Sequence, residues 1–457
     1  MPLQKNQVLT LRVERLSSDG SGVAHSPDGE TVFIPGAAPG DEARVRIVKD
    51  CKRYAFGILD EVLTPSPDRI PVDCAVAGPC GGCSLRHLDY AAELRAKQEN
   101  VADAFARIGG LDVPVLPIVG SPEVNRYRNK VQFPVGVDKS GKPCIGFYAG
   151  RTHRIVPCPD CRLQPGVLNE IGNALCAFFA EKGIQPYSEE TGRGFVRHIF
   201  LRRGAHSGQI MVCLVCTCAK LPCAEELCTR LKAQFAEITT ILLNVNAKNT
   251  NVILGTETHT LYGPGYIEDT LCGVPVQLGP LSFYQVNTLA AEQLYGIAAQ
   301  YARLTPDDLL LDLYCGMGTI GLSMAAHCRE LIGVEIVPEA IESAKANAAR
   351  MGADVAAKSR FFCADAGQAA TRLAAEGLQP DIVMLDPPRK GCDEATLSAV
   401  VRMAPRRVVY VSCNPATAAR DAAWLEQNGY HAEKVQPVDL FPRTRHCEVV
   451  SCYTKMM

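Results

Sequence analysis

The last third of the chain alternates short apolar runs with stretches that have the spacing of amphipathic helices. The apolar runs lie at residues 309–314, 331–335, 360–363, 381–386 and 407–412. This alternation predicts a parallel, doubly wound sheet, an α/β fold in which helices cover both faces. Two further runs, 432–438 and 447–453, have no obvious helix between them and are expected to form an antiparallel pair at the sheet edge. Residues that follow the parallel strands would line one crevice, which is where such sheets bind ligands.

The first of these runs ends in a glycine-rich turn. The segment from Leu311 to Gly318 contains Gly-Met-Gly at its end, so backbone amides can approach a ligand there. This Gly-x-Gly pattern is shorter than the dinucleotide-binding fingerprint and is poor support for a nicotinamide cofactor. Glu335 ends the next run, where an acid that binds a ribose is expected. The pattern favours an adenosine cofactor without a pyrophosphate, first of all S-adenosylmethionine; an ordinary strand, turn and helix is the alternative.

Two reactive side chains follow the fourth and fifth runs. Asp386 begins a rigid Asp-Pro-Pro-Arg turn and could bind a cofactor or a base, although it could also merely cap the turn. Cys413 lies between a strand and the start of a helix, a position that favours the reactive thiolate. We predict that Cys413 is a nucleophile facing the crevice. The alternative is a small buried core residue, the usual role of a single cysteine.

Glu448 begins the last apolar run and is the predicted general base, with His446 as a competitor. Considered alone, either residue would be assigned to a surface salt bridge. Together with a thiol and an adenosine site, however, a carboxylate suits the alkylation of a pyrimidine carbon. Addition of a thiolate to C6 of uracil makes C5 nucleophilic, and a base must later remove the C5 proton. A target base within a folded RNA must also leave its stack to reach such a pocket.

These segments resemble the RNA (uracil-5-)-methyltransferase family. The matching segments are Phe283-Tyr284-Gln285-Val286-Asn287, Leu311 to Gly318, Gly333-Val334-Glu335, Leu385 to Arg389, Val411 to Pro415 and His446-Cys447-Glu448. The resemblance implies a Rossmann-like S-adenosylmethionine methyltransferase domain in which Cys413 is the nucleophile and Glu448 the base. It also implies the cofactor contacts Gln285, Tyr314, Gly316, Glu335, Asp365 and Asp386.

A group of cysteines precedes this domain. Cys74, Cys80 and Cys83 have the spacing C-x5-C-x2-C, and four thiolates are needed to hold an iron–sulfur cluster. The resemblance implies a 4Fe-4S cluster and selects Cys161 as the fourth ligand, although Cys158 is also close in sequence. A structural zinc held by two C-x2-C pairs is the alternative. Because the methyl transfer needs no electron, we expect the cluster to be structural or to shape an RNA surface.

The sequence indicates three domains. Residues 1–62 have short alternating runs and glycine-rich turns, which predict a small β-barrel. The barrel resembles the TRAM module, an OB-like RNA-binding fold. Residues 63–280 are interpreted as a central α+β domain with the iron–sulfur cluster, and residues 281–457 as the methyltransferase domain. A predicted helix at 88–109 is expected to pack on the catalytic domain.

Charge and hydropathy bear on partners and location. The net charge of −2 argues neither for nor against a nucleic-acid partner. Locally, however, residues 121–154 contain seven basic and two acidic side chains, and residues 191–210 contain four arginines and no acid. Such clusters predict an RNA surface, with a solvated salt-dependent surface as the alternative. The aromatic residues Phe33, Tyr54 and Phe56 of the barrel are candidates for base stacking. The chain has no apolar stretch of bilayer length and no signal core at its start, so we expect a cytoplasmic protein without a membrane partner and a monomer.

The resulting prediction is S-adenosylmethionine-dependent C5-methylation of uridine in 23S ribosomal RNA. Transfer RNA is the first alternative substrate, and the cysteine group and TRAM-like barrel favour ribosomal RNA by resemblance. A non-catalytic RNA-binding iron–sulfur protein is a second alternative, disfavoured by the presence of both Cys413 and Glu448. A redox enzyme that uses the cluster for electron transfer is a third alternative. A radical S-adenosylmethionine enzyme would have a C-x3-C-x2-C triad, and the spacing C-x5-C-x2-C differs from it.

Overall fold

A computed structural model describes residues 3–150 and 152–456. Arg151, which belongs to the basic segment 121–154, lies outside the described residues. In chain order the structure has a closed barrel, a seven-stranded sheet, a β-hairpin and a second seven-stranded sheet. Among the described residues, no helix is both long and apolar enough to cross a bilayer.

The N-terminal barrel closes in the strand order β1-β2-β3-β5-β4. Along β4 the side chains alternate between exposed and buried, because successive residues of a strand point to opposite faces. Closure leaves no unpaired strand edge. The predicted barrel is therefore confirmed, with strands β1 (Val8–Leu16), β2 (Gly22–His25), β3 (Thr31–Ile34), β4 (Glu42–Asp50) and β5 (Tyr54–Thr64).

The central sheet has the order β12-β11-β10-β9-β6-β7-β8 and is covered by two helices. Its pairs are antiparallel except β10–β11, which the helix α3 connects. The elements are β6 (Lys130–Val137), β7 (Pro143–Tyr148), β8 (Ile155–Pro157), α2 (Gly166–Lys182), β9 (Val196–Arg203), β10 (Ile210–Cys216), α3 (Ala224–Gln234), β11 (Ile238–Val245) and β12 (Glu257–Tyr262). A long helix, α1 (Tyr90–Arg107), precedes this sheet.

The last sheet has the order β17-β16-β15-β18-β19-β21-β20. A hairpin and a helix precede it: β13 (Ile267–Leu271), β14 (Val274–Leu278) and α4 (Thr288–Ala302). The first half of the sheet contains β15 (Leu309–Leu313), α5 (Thr319–Met324), β16 (Glu330–Glu335), α6 (Pro338–Met351), α7 (Ala353–Lys358), β17 (Ser359–Cys363) and α8 (Ala366–Ala375). The second half contains β18 (Ile382–Leu385), α9 (Glu394–Met403), β19 (Arg407–Ser412), α10 (Pro415–Gln427), β20 (Tyr430–Val438) and β21 (Glu448–Lys455).

Five parallel strands form the predicted doubly wound part of this sheet, and the two final strands form an antiparallel pair at one edge. The inner strand of that pair is β21, which runs antiparallel to β19. The register pairs Ser412 with Val449, so Cys413 and Glu448 are the next residues beyond this pair on their respective strands.

Two other elements pack on the last sheet. Phe105 and Val101 of α1 belong to the same buried core as Tyr410 of β19 and Ala419 of α10. The β13–β14 hairpin shares a core with α4 on the opposite face. Residues before 281 therefore contribute to the last sheet's core, while the boundaries at 62/63 and 280/281 stay predictions.

Candidate active site

The turn after β15 adopts the left-handed backbone that glycine favours. Gly316 and Gly318 have φ values of 55° and 80°. Apart from Gly316 and its two chain neighbours, no described residue has an atom within 4 Å of the place that a Cβ of Gly316 would occupy, so this backbone faces open space. The Glu335 carboxylate accepts a hydrogen bond from the Gly316 amide at 3.1 Å and another from the Val337 amide at 3.0 Å. The sequence-predicted pair Gly316 and Glu335 therefore meets at one turn.

The other predicted cofactor contacts lie around this turn. The Tyr295 hydroxyl hydrogen bonds Gln285, and Asp386 interacts electrostatically with the same tyrosine. Asp365 caps α8 by accepting from the Gln368 amide at 3.1 Å. The Tyr314 side chain makes hydrogen bonds with residues of the α9 region instead, so only its backbone belongs to the glycine turn.

Asp312 is a buried acid to which the sequence assigned no role. Its Oδ2 accepts from the Gly321 amide at 3.0 Å, while its Oδ1 is buried without a hydrogen-bond partner. Burial, followed by Asp386 and Glu335, raises its pKa to about 8. Asp312 lies within the segment Leu311 to Gly318, so the glycine-turn motif could have drawn attention to it. Together with Asp386 and Glu335, it forms a group of three acids around the open turn.

The half-buried Cys413 follows β19 and precedes α10. Burial raises the pKa of its thiol, and the nearby carboxyl groups of Glu448 and Asp386 act in the same direction. The Arg389 guanidinium hydrogen bonds the thiol and lowers the pKa. Burial and the two acids outweigh the guanidinium, so the pKa of the thiol lies above its ordinary value rather than below it, as a position at a helix start had led us to expect.

Glu448 is only 7% exposed. Burial and then Asp386 raise its pKa to about 8, and Arg389 opposes this shift. Its competitor His446 has a pKa lowered to about 4 by burial and by neighbouring cations, of which Arg389 is the largest. Arg389 is thus the common cationic neighbour of Cys413, Glu448 and His446. The sequence analysis had assigned it no role.

The Arg389 turn is fixed to the start of α10. Asn414 caps that helix, and its side-chain amide donates to the Arg389 carbonyl at 3.0 Å. Thr417 donates to the same carbonyl at 3.3 Å. These bonds join the turn after β18 to the turn after β19, which keeps Asp386 and Cys413 at one edge of the sheet.

The central sheet supports the loop that precedes α4. The Asn129 side chain donates to the Gln285 carbonyl at 2.8 Å, and the buried Arg202 donates to the Gly279 and Ser282 carbonyls at 2.7 Å. Between these supported positions, the Phe283 side chain is 73% exposed. The loop therefore presents an unpartnered aromatic ring two residues from Gln285.

The predicted cysteine ligands also converge. Cys80 interacts electrostatically with Cys74 and Cys161, and Cys83 with Cys80 and Cys161. A hydrogen bond from Cys158, together with amide donors of residues 163 and 164, lowers the pKa of Cys161 to about 7. As they stand in the described residues, no three His, Cys, Asp or Glu side chains are arranged to hold a metal ion.

On the barrel, Phe33, Tyr54 and Phe56 form one aromatic cluster. Their ring centroids lie 5.6–5.9 Å apart. Tyr54 is 40% exposed and the other two rings are half-buried, so none of the three is fully buried in the barrel core.

Two known proteins are similar to this chain over nearly its whole length. An RNA methyltransferase of Halalkalibacterium halodurans is 43% identical over 98% of this chain and 97% of its own. An RNA methyltransferase of Clostridium tetani is 40% identical over 99% of this chain and 98% of its own. The family profile described as tRNA (Uracil-5-)-methyltransferase matches residues 276–455, and the TRAM domain profile matches residues 2–59. The chain belongs to the RNA (uracil-5-)-methyltransferase family.

A solved structure supports the fold of this family member. The crystal structure of Pyrococcus abyssi tRNA (uracil-54, C5)-methyltransferase in complex with S-adenosyl-L-homocysteine has a TM-score of 0.78 and 26% identity. The similarity covers 98% of this chain and 100% of that one. The predicted α/β methyltransferase fold with an N-terminal TRAM barrel is confirmed.

The environment of Cys413 predicts a measurable effect of Arg389. Arg389→Ala removes the cation that lowers the thiol pKa and leaves burial and two acids, so the pKa should rise. Alkylation of Cys413 by iodoacetamide, followed over pH by mass spectrometry of its peptide, should have its midpoint shifted upward by about one pH unit. Arg389→Lys, which keeps the charge, should shift it less. An unchanged midpoint in Arg389→Ala would show that the guanidinium does not govern the thiol.

Proposed function

We propose that the protein transfers a methyl group from S-adenosylmethionine to C5 of a uridine in structured RNA. The observation that carries this proposal is the meeting of Cys413, Glu448, Asp386 and Arg389 next to the open Gly316 turn. Family membership supports the reaction class. The S-adenosyl-L-homocysteine in the Pyrococcus abyssi relative supports the cofactor.

The side chains suit a covalent route. The Cys413 thiol loses its proton to solvent, with Arg389 stabilising the thiolate, and the sulfur adds to C6 of the uracil. The electron pair of the C5–C6 double bond then becomes available at C5. When bound, S-adenosylmethionine would supply the methyl group that C5 accepts, and its S–CH3 bond would break to leave S-adenosylhomocysteine.

Glu448 completes the reaction. Its carboxylate removes the C5 proton, the double bond re-forms, and the Cys413 thiolate leaves. The raised pKa of Glu448 suits an acid that must hold this proton, and Arg389 favours the charged form needed to accept it. His446 remains a weaker candidate, because its pKa is lowered to about 4 and it therefore holds a proton less readily.

The cofactor would occupy the crevice around the glycine turn. Glu335 is suited to the ribose hydroxyls, because its carboxylate lies at the carboxyl end of β16 beside the Gly316 amide. The remaining proposed contacts, by family resemblance, are Gln285, Tyr314, Asp365 and Asp386. The protein is expected to act in the cytoplasm. It is also expected to act as a monomer, since one chain supplies every group named here.

Two RNA classes are candidates for the substrate. Ribosomal RNA, specifically 23S, is favoured by the cysteine group and the barrel through family resemblance. Transfer RNA is favoured by the likeness over the whole chain to an enzyme whose name specifies uracil-54 of tRNA. The exposed Phe283 ring and the barrel's aromatic cluster would suit unpaired bases in either class.

The substrate prediction is tested with labelled cofactor and RNA that lacks 5-methyluridine. We expect methyl transfer to 23S ribosomal RNA at uridine C5, located by mass mapping of nuclease fragments. Transfer to transfer RNA alone would select the second substrate. Transfer to neither RNA by a folded protein would contradict the proposed function.

The covalent route predicts a trapped complex. RNA with 5-fluorouracil at the target position should form an adduct with the wild-type protein, because fluorine cannot leave C5 as a proton does. Cys413→Ala should form none. With ordinary uridine, Glu448→Gln should methylate about 10²–10⁴-fold more slowly and accumulate adduct, since proton removal is lost. Unchanged turnover in Glu448→Gln would remove this residue from the mechanism.

We further infer that Cys74, Cys80, Cys83 and Cys161 hold a 4Fe-4S cluster. The five cysteines of this region interact with one another, and backbone amides donate to Cys161 and Cys80, which suits thiolate ligands. The buried Arg86 hydrogen bonds Cys83 and offsets negative charge. These thiol groups suit the cluster chemically, and because no three of them are arranged to hold a metal ion in the described residues, binding would have to draw the side chains together.

Anaerobic purification should give a brown protein with about four iron atoms per chain. Cys161→Ser should lose iron and visible absorbance, whereas Cys158→Ser should keep both. Cys218→Ser, at an exposed cysteine outside the group, is the matched control. A colourless protein with one zinc would contradict the cluster. Iron loss in Cys158→Ser, with none in Cys161→Ser, would show that Cys158 rather than Cys161 is the fourth ligand.

A further inference from the structure

The base residue Glu448 is reached through segment 439–446, which connects β20 to β21 without regular secondary structure. Most of its residues are buried, and Asp439 has no exposed surface. A connection of this kind has no ladder of hydrogen bonds of its own, so its course depends on other parts of the chain.

A buried group of charges holds this segment to α1. The Lys97 ammonium, on a side chain only 2% exposed, lies 2.7 Å from Glu93 Oε1 and 2.8 Å from Asp439 Oδ1. It also donates to the Phe441 carbonyl at 3.2 Å. With the Arg443 guanidinium 3.6 Å from Glu93, the group contains two acids and two cations. Burying four charges costs free energy that well-packed apolar residues would not cost, so stability alone does not account for this group.

Glu93 also fixes the backbone at a left-handed residue. Its Oε1 accepts from the Arg443 amide at 2.7 Å, and Arg443 has a φ of 69°, which a residue with a side chain rarely adopts. The Arg443 guanidinium donates to the Leu88 carbonyl at 2.7 Å. The bend five residues before Glu448 is therefore held by α1 and by the turn that precedes it.

The same segment is tied to the cysteine region and to α1 by neutral groups. The Arg443 carbonyl accepts from the Ser84 and Leu85 amides at 3.0 and 3.1 Å, directly after Cys83. The Tyr90 hydroxyl donates to Asp439 Oδ2 at 2.9 Å. Every one of these partners lies some 350 residues away in sequence from the segment it holds.

We propose that Lys97, acting through Glu93 and Asp439, is a positioning residue for the base Glu448. This inference rests on the proposed function, because it assigns the buried charges to one step of that reaction. The hydrogen bonds of the Lys97 ammonium among the described residues go to Glu93, Asp439 and the Phe441 carbonyl, and none goes to Cys413 or to the glycine turn. Its removal should therefore slow C5 proton removal, while sulfur addition and methyl transfer continue.

The test uses Lys97→Met, which keeps the length of the side chain and removes the charge. With RNA containing 5-fluorouracil, adduct should form within about twofold of the wild-type rate, since that adduct needs no proton removal. With ordinary uridine, kcat should fall about 10–100-fold with KM unchanged, and adduct should accumulate. Lys345→Met, which breaks an exposed ion pair on α6, is the matched control and should behave as wild type.

Hydrogen exchange gives a readout that does not depend on activity. In Lys97→Met, amides of segment 439–446 should exchange at least about tenfold faster, and those of β15 and β19 should not change. The double variant Lys97→Met with Asp439→Asn removes one charge of each sign, so it does not leave the Asp439 carboxylate buried beside a missing cation. It should also form adduct at nearly the wild-type rate and turn over ordinary uridine slowly.

Equal slowing of adduct formation and turnover, or unchanged turnover, would overturn the positioning role. Cys413→Ala and Glu448→Gln, run beside these variants, keep the two proposals apart. If both behave as described and Lys97→Met behaves as wild type, only the inference about Lys97 fails. Adduct formation by Cys413→Ala would instead contradict the proposed function.

Discussion

The antiparallel pairing of β19 with β21 is the constraint on which the candidate site depends. It brings the end of one strand beside the start of the other, so Cys413 and Glu448 meet without a long loop between them. Every parallel strand of the sheet adds its following turn to the same edge. The glycine turn, Glu335 and Asp386 therefore lie at the same edge of the sheet as Cys413 and Glu448 because of sheet topology.

The electrostatics of the site follow from the same geometry. Acids at the ends of neighbouring strands share a poorly hydrated crevice, which raises the pKa of Asp386 to about 7 and that of Glu448 to about 8. Arg389 opposes the shifts at Cys413 and Glu448 from an exposed position on the rigid Pro-Pro turn. A single cation therefore balances the thiol against the acid, and RNA or cofactor charge would alter this balance further.

Local patterns in the sequence were enough to predict the barrel, the parallel strands and the glycine turn. Each depends on residues close together in the chain: alternation along β4, apolar runs such as 309–314, and Gly316 with Gly318. The insertion of β21 next to β19 and the convergence of Cys161 on Cys80 could not be read in this way, since both join distant segments. The Lys97 group was missed for a related reason. A lysine and a glutamate four residues apart on a helix usually indicate a solvated surface pair.

The inner position of β21 has a consequence for the maturation of the protein. A sheet made of β15 to β19 alone, with the turns that follow these strands, would already include the glycine turn and Cys413, whereas Glu448 comes only with β21. In the proposed reaction, such an immature sheet would offer a sulfur able to capture a pyrimidine and no acid to release it. In that reaction, closing the sheet edge would supply the acid on which turnover depends.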